Sequence, residues 1–382
     1  MSADPFVDVK TGVAYASEYL LRRLIEQCPP GTQFDLGYFD FRGTRGSPDP
    51  TLGRPRRQRR FPSAIYLKLM AFGLAPLLEL LWRRRYDVVL CNNNYLMPST
   101  APMKVVIIHD LGYLVCPEHL QPGRSGVAGR IFPSGPRFLT HVIPRAARRS
   151  DLILTWSHAV KAEMATHLGV PPDKVLVIPF LPDDRHRPNP TAVPPERFEL
   201  DRPFVLCQAT IEPRKNHRVL IEAFALLEPE VRSLTSLVLA GGAGWSSDAL
   251  LARIAELQGA GVDIRVTGYV SEDERLALYQ SCAVAVQPSH YEGFGMPVLE
   301  AMACSAPIVC SDIPVLREVG GKVAEYFEKD DPADLAARLR PRLEAALQGS
   351  TDRLDAGVVR AHFSQLEAQG DTGTMATRMG LV

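Results

Sequence analysis

The chain has 382 residues, more than one ordinary hydrophobic core accommodates and enough for two domains of usual size. Hydrophobic residues make up 46% of it and charged residues 23%, which excludes intrinsic disorder as the general state of the chain. The 43 Lys and Arg residues balance 43 Asp and Glu residues, so the overall charge gives no basis for nucleic acid as a partner, and any electrostatic function must be local.

Cysteine usage and apolar segments bear on the compartment. The seven cysteines are scattered, odd in number and without Cys-x-x-Cys spacing, as is typical of reduced thiols in the cytosol. The chain opens without a signal-peptide pattern, and its longest apolar segment, residues 64–82, is interrupted by Lys68, Gly73, Pro76 and Glu79. We therefore expect a cytoplasmic protein without a membrane-spanning helix.

Short β-branched runs alternate with helical patterns along the first half of the chain. The strand-like runs are PFVDV, YDVVL, KVVIIHD, DLILTW and KVLVIPF, and helical periodicity covers residues 15–26 and 158–168. This alternation predicts a parallel α/β domain over residues 1–182.

A basic and then apolar segment between Arg54 and Trp82 departs from that regularity. One interpretation is a peripheral contact with the inner face of the plasma membrane, in which Tyr66, Phe72 and Trp82 enter anionic lipid while arginines hold phosphates. The other is an ordinary helix beside the sheet, preceded by a solvated basic loop. The sequence leaves both open.

The second half repeats the α/β alternation after a break. Residues 183–202 combine prolines with charges and lack apolar periodicity, the composition of an interdomain linker. Strand-like runs restart at Phe204 and continue through TSLVLAGG, DIRVTGYV, CAVAVQPS and APIVCSD, which predicts a doubly wound α/β domain over residues 203–348. Residues 349–382 are weakly patterned and are predicted to be a tail, with a return to the first domain as one option and a turn or disordered end at residues 370–374.

Two carboxylates flank a glycine-rich turn after the strand CAVAVQPS. Ligands of open α/β sheets bind beyond the carboxyl ends of strands, and Gly293 and Gly295 allow the backbone close to a ligand. A helix starting near Pro297 offers free N–H groups to a phosphate, so Glu300 is placed to accept hydrogen bonds from vicinal hydroxyls and Glu292 to face the ligand beyond the phosphates. Alternatively, Glu300 only complements the helix dipole and Glu292 is a loop charge.

Arg214 and Lys215 stand at the start of an amphipathic helix after the strand FVLCQAT. Cations there oppose the helix dipole, a conflict that a bound diphosphate resolves. In the alternative, Glu212 neutralises Arg214 and Lys215 is simply solvated. The sequence has no GxxxxGK[ST] and no GxGxxG after a strand, which disfavours a P-loop nucleotidase and a typical NAD enzyme. It also has no Asp-x-Asp ending a strand, so a metal-clamped diphosphate is not indicated.

The first half offers weaker site signals. His109 ends the strand KVVIIHD, where it is placed to hydrogen-bond a sugar hydroxyl or transfer a proton, or else to be a structural histidine with Asp110 capping the segment after it. Gly12 begins a helix after the first strand and is another phosphate-facing N-terminus. In the second half, the glycines of LAGGAGW favour a tight turn.

Together these motifs resemble the family 4 retaining glycosyltransferases of the GT-B fold, similar to bacterial mannosyl and hexosyl group 1 enzymes. The resemblance is carried by EPRKNHRVLIEAF, LAGGAGW and VTGYVSEDERLALYQSCAVAVQPSHYEGFGMPVLEAMACSAPIVCSDIPVLREVGG, together with VVIIHDL and LGVPPDKVLVIPF, and covers most of residues 11–345. It implies an α/β protein with two Rossmann-like domains facing each other across a cleft, the second holding the donor and the first the acceptor.

The resemblance also implies residue roles. Glu292 would contact the donor sugar, Glu300 the ribose, and Arg214 with Lys215 the diphosphate, while His109 would reach the sugar from the facing domain. The implied catalytic residues are His109, Arg214, Lys215 and Glu292. The other implied donor contacts are Gly12 near the diphosphate, Tyr269 and Val270 near the base, and Gly293, Phe294, Gly295 and Met296 around sugar and phosphate.

By the same resemblance, the reaction is retaining transfer without metal or cofactor, from a nucleoside-diphosphate sugar to a glycan or lipid-linked acceptor in surface polysaccharide or glycoconjugate synthesis. Mannose is suggested by the likeness of AGGAGW and KTGV to bacterial mannosyltransferases. The short start MSADPFVDVKTG and the tail AHFSQLEAQG, where the family has a helix returning to the first domain, depart from the family on the acceptor side. The alternatives are a non-catalytic GT-B subunit that binds a glycan or partner enzyme, and a GT-B epimerase or phosphorylase.

Overall fold

The computed structural model describes residues 12–40, 56–62, 69, 74–119, 136–350 and 352–382. The described residues of Met1–Pro117, Pro122–Phe180 and Glu367–Val382 form one compact unit, and those of Glu118–Gln121 and Leu181–Leu366 form another. Each unit is a parallel sheet with helices, so the predicted α/β class is confirmed.

The first unit is centred on a parallel sheet of four strands in the order β3-β4-β5-β6, and β1 pairs with β2 in a separate parallel sheet. Strands such as VVLC and LILT are mostly apolar because a parallel sheet is covered on both faces. The helices and strands are α1 (Gly12–Gln27), β1 (Phe34–Asp40), β2 (Arg56–Pro62), α2 (Leu78–Trp82), β3 (Val88–Cys91), β4 (Met103–Ile107), α3 (Gly112–Val115), α4 (Pro136–Arg149), β5 (Leu152–Thr155), α5 (His158–Leu168) and β6 (Val175–Val177).

The sequence prediction for the first unit is largely confirmed from YDVVL onward. Helix α5 has the predicted bounds because Ser157 caps its start, accepting a hydrogen bond from the Val160 N–H, and Gly169 ends it in a left-handed conformation. The run PFVDV lies outside the described residues. Strands β1 and β2 were not predicted.

The basic and apolar segment does not match either interpretation where it is described. Arg56–Pro62 forms strand β2 rather than a loop, because pairing with β1 uses main-chain groups and is indifferent to side-chain charge. Trp82 is only 6% exposed and packs edge-on against Tyr86, so its predicted role in entering lipid is wrong. Tyr66 and Phe72 lie outside the described residues, and membrane contact through the arginines stays a prediction. Of the helices that the structure describes, none is long and apolar enough to cross a membrane.

The second unit is a six-stranded parallel sheet in the order β12-β11-β10-β7-β8-β9. The chain starts in the middle at β7, builds outward to β9, and then crosses to β10 on the other side of β7. That reversal leaves a crevice at the carboxyl ends of β7 and β10. The elements are β7 (Phe204–Gln208), α6 (His217–Ala225), α7 (Pro229–Arg232), β8 (Ser236–Ala240), α8 (Asp248–Gly259), β9 (Ile264–Gly268), α9 (Glu272–Ser281), β10 (Val284–Gln287), α10 (Met296–Ala303), β11 (Ile308–Ser311), α11 (Pro314–Gly320), β12 (Glu325–Phe327) and α12 (Pro332–Leu347).

Residues 183–202, predicted as a linker, are part of the second unit, which begins at Leu181. They are held by polar contacts rather than by the apolar periodicity that the prediction looked for. The Arg265 guanidinium donates to the carbonyls of Phe198 and Glu199, each at 2.6 Å, and the Gln280 amide donates to the carbonyl of Arg187 at 2.8 Å. The domain boundary therefore precedes the proline-rich stretch instead of lying within it.

The tail contains more regular structure than its weak pattern predicted. Helix α13 (Ala356–Gln369) buries Val359 and Leu366, and a short turn at Thr372–Thr374 leads to α14 (Met375–Arg378). From Glu367 onward the chain belongs to the first unit, where the Asp371 carboxylate accepts a hydrogen bond from the Val177 N–H at 2.8 Å. Two buried positions spaced seven apart give too little periodicity to predict such a helix.

Gly370→Ala should weaken the attachment of the tail to the first unit. A Cβ at residue 370 would lie 2.2 Å from Cδ of Pro179, so we expect a loss of roughly 1–3 kcal/mol of unfolding free energy, measured by urea unfolding. Gly373→Ala is the matched control, because a Cβ there meets nothing within 4 Å. Equal stability of the two variants would contradict this packing.

Candidate functional site

The predicted anion-binding residues of the second unit meet at the crevice between β7 and β10. Arg214 and Lys215 lie in the 3₁₀ turn Pro213–Lys215, which follows β7. Asn216, in a left-handed conformation with φ 50°, redirects the chain from that turn into α6. Glu292 comes from the loop after β10. Two loops from adjacent strands thus bring two cations and a carboxylate to the position where α/β sheets bind ligands.

Glu292 is the centre of the cluster, and its side chain is saturated with hydrogen bonds. Its Oε1 accepts from Lys215 Nζ at 2.7 Å, from Gln287 Nε2 at 2.6 Å and from Ser289 Oγ at 2.7 Å, and its Oε2 accepts from Arg214 Nη1 at 3.0 Å. A carboxylate offers about four lone-pair positions. The residue is only 6% exposed, so these donors replace the water that burial removes.

The charges of the cluster fix its protonation. Burial alone would raise the pKa of Glu292, but the Lys215 and Arg214 charges and the hydrogen bonds outweigh it and lower that pKa to about 2. For Lys215, burial and the neighbouring Arg214 charge outweigh the attraction of Glu292, and its pKa falls below the ordinary value. Because Arg214 cannot lose its proton, Glu292 keeps a cationic partner at every pH where the protein is folded.

Both interpretations of Arg214 and Lys215 are partly met. Arg214 does pair with Glu212, with Nη2 2.8 Å from Oε1, and it also donates to the carbonyl of Tyr291 at 3.0 Å. Lys215, however, is not a solvated loop residue, since its side chain is only 13% exposed and contacts Glu292 directly. The predicted cation pair therefore exists as a partly buried group held in one geometry.

Gln287 and Ser289 are members of the site that the sequence analysis missed. The Gln287 amide donates to Ser289 Oγ at 2.9 Å as well as to Glu292, and Ser311 at the end of β11 donates to the carbonyl of Ser289 at 2.8 Å. These contacts tie the Glu292 loop to two adjacent strands. The available signal was the polar Gln-Pro-Ser that ends an otherwise apolar strand.

The glycine-rich turn lies between the two predicted carboxylates. Gly295 has φ 100° and caps α10, and a Cβ there would lie 2.8 Å from Leu316, so a glycine is required. Helix α10 begins at Met296, one residue before the proline that predicted its start. Phe294 is buried, whereas Gly293 and Met296 are half-buried at the mouth of the turn.

Glu300 lies apart from the Glu292 cluster, in α10, and has its own polar partners. It is 4% exposed, with Oε2 3.3 Å from Arg275 Nε and Oε1 3.8 Å from His186 Nε2. Burial raises its pKa, opposed by the charges of Arg275 and His186. Neither partner was predicted from the sequence.

Tyr269 and Val270, predicted near a base, follow β9 as expected. Tyr269 is 67% exposed, and Val270 is buried. The Arg197 guanidinium donates to the carbonyl of Tyr269 at 3.2 Å, which fixes the backbone at this end of the strand.

His109 and Gly12 belong to the first unit. Gly12 is the exposed first residue of α1, as predicted. His109 is buried after β4, with Nε2 2.8 Å from the carbonyl of Asn92, and its Nδ1 accepts a hydrogen bond from Trp156 Nε1 at 2.8 Å. This arrangement requires the neutral ring with the proton on Nε2, and burial lowers the pKa of His109 accordingly. Both ring nitrogens are engaged, as in the structural interpretation, and the catalytic role of His109 stays a prediction.

Among the residues that the structure describes, no three His, Cys, Asp or Glu side chains are placed to hold a metal ion. The expectation of transfer without a metal stays a prediction.

Two family profiles match the chain. The one described as Glycosyltransferase Family 4 matches residues 16–180, and the one described as Glycosyl transferases group 1 matches residues 190–347. The first match falls in the first unit and the second in the second unit.

Two relatives from Escherichia coli illustrate the similarity. The O-antigen chain mannosyltransferase B is 29% identical over 262 residues, which are 68% of this chain and 66% of that protein. The serotype-specific mannosyltransferase WbdA is 33% identical over 194 residues, which are 49% of this chain and 24% of that protein. The match spans just under two thirds of the first relative and about a quarter of the second.

Two solved structures share the fold. WaaG, a glycosyltransferase involved in lipopolysaccharide biosynthesis, superposes with a TM-score of 0.67 at 14% identity, covering 99% of this chain and 96% of that chain. HepE of Anabaena in complex with UDP gives a TM-score of 0.62 at 16% identity, covering 100% and 96%. At such identities the likeness shows the fold alone.

Acidification should reduce the contribution of Glu292 to stability. Its folded pKa of about 2 lies below the ordinary 4.5, so the contribution is complete above about pH 4.5 and is lost as the pH falls toward 2. The difference in unfolding free energy between the wild type and Glu292→Gln should be largest at neutral pH, on the order of 3 kcal/mol, and shrink on acidification below 4.5.

Urea unfolding between pH 7 and pH 3.5 measures this difference. Glu256→Gln is the control, because its carboxylate is 70% exposed in the same unit and its removal should change stability by less than about 1 kcal/mol. A difference for Glu292→Gln that stays constant with pH would contradict the ionised, buried carboxylate.

Proposed function

Because the chain belongs to the family 4, group 1 glycosyltransferases and has their GT-B fold, both as the sequence predicts, we propose that it transfers a hexose from a nucleoside-diphosphate sugar to a glycan or lipid-linked acceptor. The acceptor would be used in surface polysaccharide or glycoconjugate synthesis, as the names of the Escherichia coli relatives suggest. We further propose retention of configuration without metal or cofactor.

The observation that carries the proposal is the cluster at the crevice between β7 and β10, in which the partly buried Arg214 and Lys215 pair with the buried Glu292. Departure of a nucleoside diphosphate places negative charge on its phosphates. Two partly buried cations held in one geometry stabilise such charge with little reorganisation, which is electrostatic catalysis. The positive end of the α10 dipole, at Gly295 and Met296, adds to the positive potential.

Glu292 would hold the donor sugar. A carboxylate that stays ionised accepts hydrogen bonds from sugar hydroxyls, which would take over positions now occupied by Gln287 and Ser289. Keeping Glu292 charged beside the breaking bond also favours a sugar with oxocarbenium character. In this mechanism the leaving phosphate takes the proton of the acceptor, and no separate base is required.

Mannose is the first candidate for the transferred sugar because both Escherichia coli relatives are named mannosyltransferases. Glucose from UDP-glucose is the second candidate, since HepE has also been solved in complex with UDP-glucose. A screen of mannose and glucose donors on each nucleotide base distinguishes the two candidates.

Donor hydrolysis without acceptor tests the proposal. We expect one of the GDP-, UDP-, dTDP- and ADP-sugars to be hydrolysed slowly, and the rate to fall at least 100-fold in Glu292→Gln, because an interaction with the developing charge is worth about 2.7 kcal/mol or more. Glu256→Gln should retain the wild-type rate, since its side chain is exposed to solvent.

If no donor is hydrolysed, calorimetric titration of the bare nucleoside diphosphates distinguishes two outcomes. Binding weakened by Lys215→Met would support an enzyme that acts only with its acceptor present. Absence of binding to every nucleoside diphosphate would overturn the proposal and favour the non-catalytic subunit.

A further inference from the structure

The segment of residues 183–187 crosses the surface of the second unit beside Glu300. It is anchored on both sides of His186. Arg185 Nη2 lies 2.8 Å from Asp183 Oδ2 and 2.5 Å from Glu272 Oε1 at the start of α9, and the carbonyl of Arg187 accepts from Gln280 near the end of that helix. His186 therefore lies between two residues that are bound to α9, one by an ion pair and the other by a hydrogen bond.

The anchored segment places the imidazole of His186 over the carboxylate of Glu300. Its side chain is 8% exposed, its Nδ1 lies 2.9 Å from Asp183 Oδ1, and its Nε2 lies 3.8 Å from Glu300 Oε1. Asp183 occupies Nδ1 and so directs Nε2 toward Glu300. On the other side of the carboxylate, Arg275 lies 3.3 Å from Oε2.

The distance between Nε2 and Oε1 is informative. At 3.8 Å it exceeds a hydrogen bond, yet a single hydroxyl oxygen can lie within about 2.8 Å of both atoms. A hydroxyl that donates to the carboxylate still has lone pairs and a preference for a second partner. With Asp183 accepting from the Nδ1–H, His186 Nε2 meets this need by donating to the hydroxyl oxygen as the imidazolium cation.

We propose that His186 is a specificity-determining residue that, with Glu300, receives a hydroxyl of the ribose of the nucleoside diphosphate. This proposal rests on the proposed function, which supplies the nucleotide. It assigns to residues 183–187, which by composition are a linker, the task of completing the sugar pocket of the nucleotide. The pocket would then favour nucleotides that carry the hydroxyl, because only these offer a group that hydrogen-bonds both Glu300 and His186.

Binding of matched ribo and deoxyribo nucleoside diphosphates tests the inference by calorimetry. The probes are the nucleoside diphosphate that the wild type binds and its 2′-deoxy and 3′-deoxy forms. For the wild type we expect at least one deoxy form to bind on the order of ten-fold more weakly than the ribo form. In His186→Leu the ribo form should lose about as much affinity, while that deoxy form should bind as before, so that discrimination disappears.

Two further variants make the result specific. His186→Gln keeps a polar group that can hydrogen-bond a hydroxyl and should retain part of the discrimination. His167→Leu, at an exposed histidine of the first unit, should change neither affinity nor discrimination. Thermal unfolding of each variant reports whether the fold is intact.

Equal weakening of the ribo and deoxy forms in His186→Leu would overturn the inference, since it would mean that His186 only supports the fold. Unchanged affinity for every form would overturn it as well. In both cases wild-type binding of the nucleoside diphosphate would leave the proposed function standing. A wild type that binds no nucleoside diphosphate would overturn both.

Discussion

The ion pairs that Glu292 makes with Arg214 and Lys215 are the interaction on which the site depends. Taking a carboxylate and two cations out of water costs several kcal/mol for each ion, and only close pairing with full hydrogen bonding offsets that cost. The structure meets this requirement, because both oxygens of Glu292 are engaged by four donors. The loops after β7 and β10 are consequently fixed relative to each other. In the proposed function the same contacts would prepare the charge distribution that phosphate departure requires.

The topology of the second unit explains why these residues meet at all. A chain that begins in the middle of its sheet and later reverses direction leaves two loops diverging from neighbouring strands, β7 and β10. In the proposed function Glu292 and Glu300 would contact different parts of the ligand, since one lies in the loop and the other in the helix after it. Their electrostatic environments differ accordingly, with the pKa of Glu292 lowered by its cations and that of Glu300 raised by burial.

The strands and the start of α10 were predictable from the sequence, whereas the segments held by polar contacts were not, and both results have physical reasons. Buried parallel strands read as nearly continuous apolar runs, so FVLCQ and VAVQ are recognisable as strands although each ends in a glutamine. A proline shortly after Gly-Phe-Gly marks the start of α10. Structure held by polar contacts gives no such periodicity. The segment around His186 is fixed by ion pairs to α9, so its composition indicated a linker. Gln287 and Ser289 act through side-chain hydrogen bonds, whose partners become apparent only in three dimensions.

A double-mutant cycle on Glu292 and Lys215 is the most direct test of the central claim. Urea unfolding of the wild type, Glu292→Gln, Lys215→Met and the double variant at neutral pH gives the coupling free energy of the pair. If the ion pair organises the site, each single change leaves a charge or its hydrogen-bond donors without a partner. The double variant should then lose about 2 kcal/mol less unfolding free energy than the two single variants lose together. Additive losses, within about 0.5 kcal/mol, would show that the two side chains act independently and would contradict the account.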